Sequence, residues 1–327
     1  MILTVTLNAA IDRTVAVPNF RLGRRHRAVE SRTVAGGKGI NVARWLNHLG
    51  GKPLLLLPLG GKTGVELTGY LRDERIPAHI IPIPEPTRVN VIITTNAGRQ
   101  MRFNPLGPKL SRREWGEVLK SVERTLRRFG GKNEPTPDPS QEENKPARVR
   151  RQLPSWEGSG VGPLLILSGS LPRGVPVTAY ARLIRLAHGL GVSTLLDCDG
   201  PAFALAIAAR PFLVKPNEHE LAQWWRKPLR SEAELVRAAR ALSEQTRGWV
   251  LVSRGAKRGL LVNCSKGFQG FATPTRMKPR NTVGAGDALL AAAARQIQLG
   301  TAPVTWLGCG VAAGTSATQC QAGKMTR

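Results

Sequence analysis

Gly284, Ala285, Gly286 and Asp287 are the first residues in this chain whose types and spacing suggest chemistry. They sit in the run NTVGAGDALLAAAARQIQLG, where small apolar residues read as a helix from about Ala285. An acid at a helix start is ordinary capping. A glycine-rich turn feeding a helix N-terminus is also a way to hold phosphate on unpaired backbone N–H groups at the positive end of the helix dipole. The rest of the chain must decide between the two.

Other stretches carry compatible chemistry. AGGKGINVA places Gly36, Gly37 and Lys38 before a helix, with Asn41 one turn along. Their amides can face a ligand or form a plain turn; the spacing is not that of a Walker A loop. TLNAAID ends a strand and leaves Asp12 beyond it, as an acceptor for sugar hydroxyls or as a turn former. Arg88 and Asn90 share one strand face, as do Arg102 and Asn104. Two arginines on one cleft grip phosphate through paired bonds, or merely line a solvated face. LVKPNEHEL holds Lys215, Asn217 and Glu220. The last two form a capping box or orient water around Mg²⁺. VSRGAKRG, Ser253 to Gly259, has the small residues Ser253 and Gly255 after a strand, as a nucleotide's phosphates or base require.

The elements that must position these residues alternate. Apolar runs at Ile2–Leu7, PLLLLPLG, LLILSG, VSTLLD, FLVKPN and WVLVSRG read as strands. Amphipathic runs from Lys38 to Leu49, from Thr63 (a candidate cap), from Ser111 to Phe129, and later in the chain read as helices. That order implies a mostly parallel sheet covered on both faces. Two stretches break it, about 13–34 and 88–105. The second carries a hairpin signal at Asn96-Ala97-Gly98. Their polar alternation suits a small sheet lying as a lid over the carboxyl ends of the main strands, where open α/β sheets bind ligands. Residues 130–162 are rich in Pro, Gly, Ser and charge without periodicity, and read as a disordered insertion in one domain, 1–327.

Composition narrows the classes. The hydrophobic content of 41% supports a real core, and no apolar run approaches the roughly 20 residues of a membrane span. The opening MILTVTLNAAID has no basic leader or cleavage site, so no signal peptide and a cytoplasmic location are expected. Neither the four cysteines nor the five histidines show metal-ligand spacing, so no metal site built from protein ligands is expected and acid–base work falls to a carboxylate. The net charge of +26 attracts phosphate of any kind. The basic residues are dispersed and aromatics make up only 5% of the chain, which argues against nucleic acid as the main partner.

Taken in order, GGKGIN, SGSLPRGVP, VKPNEHE and TVGAGD resemble the PfkB branch of the ribokinase-like sugar kinases, across nearly the whole chain except the insertion. TLNAAID and the pair TRVNV…RQMRFN are most similar to its hexose-phosphate subgroup, which implies fructose 1-phosphate as the leading acceptor, with tagatose 6-phosphate or fructose 6-phosphate as alternatives. The resemblance implies a three-layer α/β/α sandwich with a mainly parallel central sheet and a small β-sheet lid. It implies ATP and Mg²⁺ as cofactors, a sugar phosphate as acceptor, and a homodimer through the lid. By similarity, Asp287 is the base that takes the sugar hydroxyl's proton, and Gly284, Ala285 and Gly286 form the anion hole. Asp12, Gly37, Lys38, Asn41 and Asn90 hold the sugar; Arg88 and Arg102 meet its existing phosphate. Lys215, Asn217, Glu220, Ser253, Gly255 and Thr282 serve the nucleotide. The chain departs from the family pattern at Ala9, often proline, at Arg258, often glycine, and at Asn281, often Asp or Ser.

Overall fold

Along each buried strand, successive side chains point to opposite faces, so each strand feeds two helix layers. The computed structural model of the chain describes residues 1–95, 100–130, 162–279 and 282–320. The insertion, the Asn96–Gly98 turn and Asn281 therefore lie largely or wholly outside the described residues. The elements begin with β1 (Ile2–Val5), β2 (Ala10–Ala16), β3 (Glu30–Gly36), α1 (Lys38–His48), β4 (Pro53–Gly60), α2 (Gly61–Asp73) and β5 (Ala78–Ile83). They continue with β6 (Arg88–Thr94), β7 (Gln100–Phe103), α3 (Arg112–Gly130), β8 (Leu164–Ser168), α4 (Ala179–His188), β9 (Ser193–Asp197) and α5 (Gly200–Ile207). The remainder are β10 (Leu213–Val214), α6 (Glu218–Trp225), α7 (Glu232–Thr246), β11 (Trp249–Val252), β12 (Gly259–Asn263), β13 (Phe268–Ala272), α8 (Ala285–Gln298) and α9 (Pro303–Ala317).

Nine strands form one sheet in the order β13-β12-β11-β10-β9-β8-β1-β4-β5. It is parallel from β5 to β11, and antiparallel at β11–β12 and β12–β13. In β8, Leu165 and Leu167 join a core with α3–α7, while Leu164 and Ile166 join the opposite core with α1, α8 and α9. A third cluster packs Leu55, Leu57 and Leu59 of β4 against Ile40 and Ala43 of α1 and Leu67 and Leu71 of α2. This is the ribokinase-like sandwich. The antiparallel margin comes from β12 and β13, which join through a 3-10 turn, Cys264–Lys266.

The second sheet has four strands, β3-β2-β6-β7. It reaches further toward the core than the stretch expected from polar alternation. β2 starts at Ala10 and β3 runs to Gly36 because Ile11 and Ala35 are fully buried against α1. Thr63 is a correction. Helix α2 starts at Gly61 on the N-cap Gly60, with no side-chain cap. The Thr63 hydroxyl donates instead to the Thr87 carbonyl at 2.7 Å, tying α2 to the segment before β6.

Four helix ends carry an unusual feature. The non-glycine described residues with left-handed φ are all arginines: Arg75, Arg210, Arg226 and Arg247, at φ 53–57°. Each follows a helix at the place glycine commonly fills, and a Cβ there costs about 1–2 kcal/mol. The arginine's charge at the negative helix end returns a few tenths of that. Replacing exposed Arg75 and Arg226 together by glycine is expected to raise unfolding free energy by about 1 kcal/mol, after allowing for glycine's greater unfolded-state entropy. A urea melt checks this; an unchanged or lower midpoint rejects it.

Candidate active site

Two helix N-termini open onto the carboxyl ends of the central strands, and no side chain caps either. Helix α8 begins at Gly284, whose φ of 79° lets the chain turn sharply into the helix. Its first helical hydrogen bond runs from Ala288 N to Gly284 O, at 2.9 Å. The N–H groups of Ala285, Gly286 and Asp287 precede that first bond. Asp287 does not cap the helix. Its buried carboxylate accepts from Asn41 Nδ2 at 2.8 Å. Side-chain capping by Asp287 is therefore not what the turn is built for, and the first N–H groups of α8 carry no side-chain cap. Helix α1 starts on Gly37 in the same uncapped way.

Between these helix ends sits a buried charge cluster. Asp197 ends β9, opposite Ser168 at the end of β8. Its carboxylate lies 3.0 Å from Lys38 Nζ and 3.1 Å from Lys215 Nζ. Lys215 follows β10 and lies beneath the α8 turn; a Cβ on Gly286 would meet its Nζ at 3.3 Å. Glu220 Oε1 is 3.9 Å from Lys38 Nζ. These charges set the titration of the site. Burial opposes ionisation of Asp197, but Lys215 and Lys38 outweigh it and hold the carboxyl below the usual range. For Asp287, burial and then the Asp197 charge push the pKa up to about 6, against the Asn41 hydrogen bond and the two lysines. Burial works against the charge on Lys38, yet Asp197 and Glu220 hold its pKa above the ordinary value. Asp197 was not singled out from the sequence. The available signal was a carboxylate ending the apolar run VSTLLD at the ligand edge of the sheet.

The small sheet brings Asp12 and Asn90 together, paired in register across β2 and β6. Asn90 Nδ2 donates to Asp12 Oδ1 at 2.7 Å. Burial raises the Asp12 pKa, partly offset by that bond and by Arg44, Arg88 and Arg102. Gly36 is required here, because a Cβ would lie 2.3 Å from the Asp12 carboxyl carbon. The two arginines do not form a fork. Arg88 donates to the Pro105 and Asn8 carbonyls at 2.8 and 3.1 Å, leaving a buried Nε without a partner. Arg102 is exposed and turns to Gln100 Oε1 at 2.7 Å.

On the far side, Asn217 and Glu220 form the capping box of α6. Asn217 Oδ1 accepts from Glu220 N, and Glu220 Oε2 from Asn217 N, each at 2.8 Å. That uses one Glu220 oxygen and leaves Oε1 toward Lys38. Ser253 bridges to this helix start through Glu218 N at 3.1 Å. Gly255 turns the β11–β12 loop at φ 59°, and Thr282 is exposed two residues before Gly284. Arg258, a departure from the family pattern, folds back to pair with Glu232 and lies over the Phe271 ring at 4.5 Å. Buried Arg254 joins Glu218 and Glu232, each at 3.4 Å. The loop thus gains an ionic brace.

Known proteins resemble this chain in sequence and in fold. The model of the pfkB family carbohydrate kinases matches residues 3–126 and 152–325. A 1-phosphofructokinase of Xanthomonas campestris pv. campestris is 33% identical over 88% of this chain and 81% of its own length. A 1-phosphofructokinase of Rhodobacter capsulatus is 32% identical over 91% and 84%. The crystal structure of phosphofructokinase-2 from Escherichia coli in complex with fructose-6-phosphate superposes with a TM-score of 0.81 at 28% identity, covering 97% of this chain and 93% of that one. The chain belongs to the pfkB family of carbohydrate kinases, enzymes that transfer a phosphoryl group to a sugar hydroxyl.

Proposed function

We propose that this kinase transfers the γ-phosphoryl group of ATP to fructose 1-phosphate, giving fructose 1,6-bisphosphate. The observation that carries the chemistry is the uncapped N-terminus of α8 with buried Asp287 in its first turn. The transferring phosphoryl group rests on the Gly284–Asp287 turn, with Lys215 and Lys38 supplying positive charge beside it. Phosphoryl transfer needs chiefly such positioning and charge stabilisation. Asp287, with a pKa of about 6, is ionised at neutral pH and accepts the proton of the attacking hydroxyl. Asp12, Asn90, Asn41 and Gly37 hold the sugar, and the small sheet closes over it as a lid. Arg88 and Arg102 reach the existing phosphate only after leaving their present partners. Lys215, Ser253, Gly255 and Thr282 receive the nucleotide.

Mg²⁺ fits this donor set. Among the described residues no cluster of three or more ligands exists to hold a bare ion. Mg²⁺ usually keeps several waters and binds through one or two carboxylates and the substrate phosphates. Glu220 Oε1, facing Lys38 rather than the helix cap, is the oxygen suited to that role. When bound, the ion neutralises phosphate charge. A homodimer through the lid is supported by the exposed Met101 and Phe103 of β7. Among the described residues no helix is long and apolar enough to cross a membrane, and ATP dependence fits a cytoplasmic location.

The choice of fructose 1-phosphate rests on the two 1-phosphofructokinases; the Escherichia coli neighbour supports fructose 6-phosphate as the alternative. Tagatose 6-phosphate is the third acceptor to test. Steady-state ADP release with Mg²⁺-ATP against these three and free fructose decides between them. The expected result is the highest kcat/KM with fructose 1-phosphate. A preference for another ketose phosphate reassigns the substrate, and activity on free fructose alone removes the phosphate role of the lid arginines.

A further inference from the structure

Asn41 has a carbonyl end and an NH₂ end, and only the second favours an ionised Asp287. What decides its orientation is Arg44, three residues along α1. Arg44 Nη1 donates to Asn41 Oδ1 at 2.8 Å. A guanidinium has donors and no acceptor, so the amide oxygen must face it. The NH₂ group then points the other way, to Asp287 Oδ2 at 2.8 Å. Arg44 is itself held on two further sides. Its Nη2 donates to the Ala35 carbonyl at 2.8 Å and to Glu74 Oε1 at 2.9 Å, and its Nε donates to Glu74 Oε2. The Arg44 side chain is only 11% exposed. Glu74 caps the end of α2, so the contacts run from α2 through α1 to the start of α8.

We propose that Arg44 and Glu74 are positioning residues: the Arg44 fork, braced by Glu74 and the Ala35 carbonyl, locks the Asn41 amide so that it donates to the Asp287 carboxylate and keeps that base ionised. The inference rests on Asp287 being the base. Asp287 faces Asp197 from the end of β9, Lys215 after β10, and Lys38 and Asn41 from α1. Burial and Asp197 disfavour its charge, and the Asn41 bond is the largest influence opposing them. An Asn41 released from Arg44 is free to turn its carbonyl to accept from protonated Asp287, so the amide no longer favours only the ionised form. Hydrogen bonding to the charged form is among the main controls on a carboxyl's titration.

The test is the pH profile of kcat/KM for the sugar phosphate from pH 5 to 9. It compares wild type with Arg44→Met, Arg44→Lys and the double variant Arg44→Met/Glu74→Met. All three should move the acid limb up by about one pH unit, giving about fivefold lower kcat/KM at pH 6, approaching tenfold at pH 5, and near-wild-type values at pH 9. The lysine variant keeps the charge but cannot hold Asn41, Ala35 and Glu74 together, and the double variant leaves no stranded carboxylate. The acceptor's phosphate also titrates near pH 6, but identically for every variant. A carboxyl ¹³C NMR titration of Asp287 in the free enzyme, assigned with Asp287→Asn, should show the same upward displacement without depending on turnover. An unmoved limb, or an equal loss at every pH, overturns the proposal and leaves Arg44 a structural residue. Normal turnover by Asp287→Asn would instead remove the base assignment, so the two failures are distinguishable.

Discussion

Asp287→Asn is expected to lose turnover by about 10²–10⁴-fold, the usual contribution of a positioned general base, and to become more stable at neutral pH. Both effects have one cause. The carboxylate is buried with Asp197 close by, so its pKa rises from an ordinary 3.8 to about 6. A raised carboxyl pKa means that the folded state binds a proton more tightly than the unfolded chain. Stability therefore falls as pH climbs through that interval, and the ionised residue is a net cost above it. At about 1.4 kcal/mol per pH unit, the interval corresponds to about 3 kcal/mol. Asparagine carries no charge to bury and keeps most of the side chain's shape. Urea melts should show little difference from wild type near pH 4 and the full gain at pH 8. ATP binding should survive, because the α8 amides and both lysines are untouched. Normal turnover would exclude Asp287 as the base. A variant less stable than wild type at pH 8 would show that its charge is not strained.

Much of this site was legible because glycine and helix starts leave strong local signals. Gly284–Asp287 and Gly36–Asn41 both mark uncapped helix N-termini, and both turns lie where the strand–helix alternation requires. The central layers were legible for a similar reason: continuous apolar strands between amphipathic helices allow few arrangements. Contacts between segments distant in sequence were harder to read. Asp197 meets Lys38 from 159 residues away, and Asn41 meets Asp287 from 246. Nothing near any of these residues announces its partner. Arg88 is a different case. Its strand face was correctly periodic, but the guanidinium spends its donors on the Asn8 and Pro105 carbonyls, and alternation does not report backbone acceptors in a neighbouring loop. Asn217 and Glu220 remained ambiguous because one spacing serves both a capping box and a ligand site. Here the two Glu220 oxygens divide between the cap and the side facing Lys38.

Asp197→Asn should have the opposite stability signature from Asp287→Asn, although the two carboxylates share a site. Asp197 is the countercharge of Lys215, whose side chain is 5% exposed, and of the more accessible Lys38. Removing one partner of a buried pair costs about 3–5 kcal/mol, because the other charge stays buried without compensation. The lower end suits a pair with Lys38 still partly in water. The pH dependence has a definite sign. Asp197 titrates below its usual range when folded, so its contribution is complete above the unfolded pKa and is lost as pH falls through the folded one. The gap between wild type and variant should therefore be full at neutral pH and close in acid, where the Asp287→Asn gap also vanishes but from the other side. Turnover should fall as well, since both lysines depend on this carboxylate for their place beside the α8 turn. Adding Lys215→Met to Asp197→Asn separates the two roles. Removing the stranded ammonium should recover stability but not turnover, because the phosphoryl site would then keep only Lys38, without its countercharge. Recovery of both would show that Lys215 serves the fold alone, and an Asp197→Asn single variant as stable as wild type at pH 7 would show that the lysines find water instead.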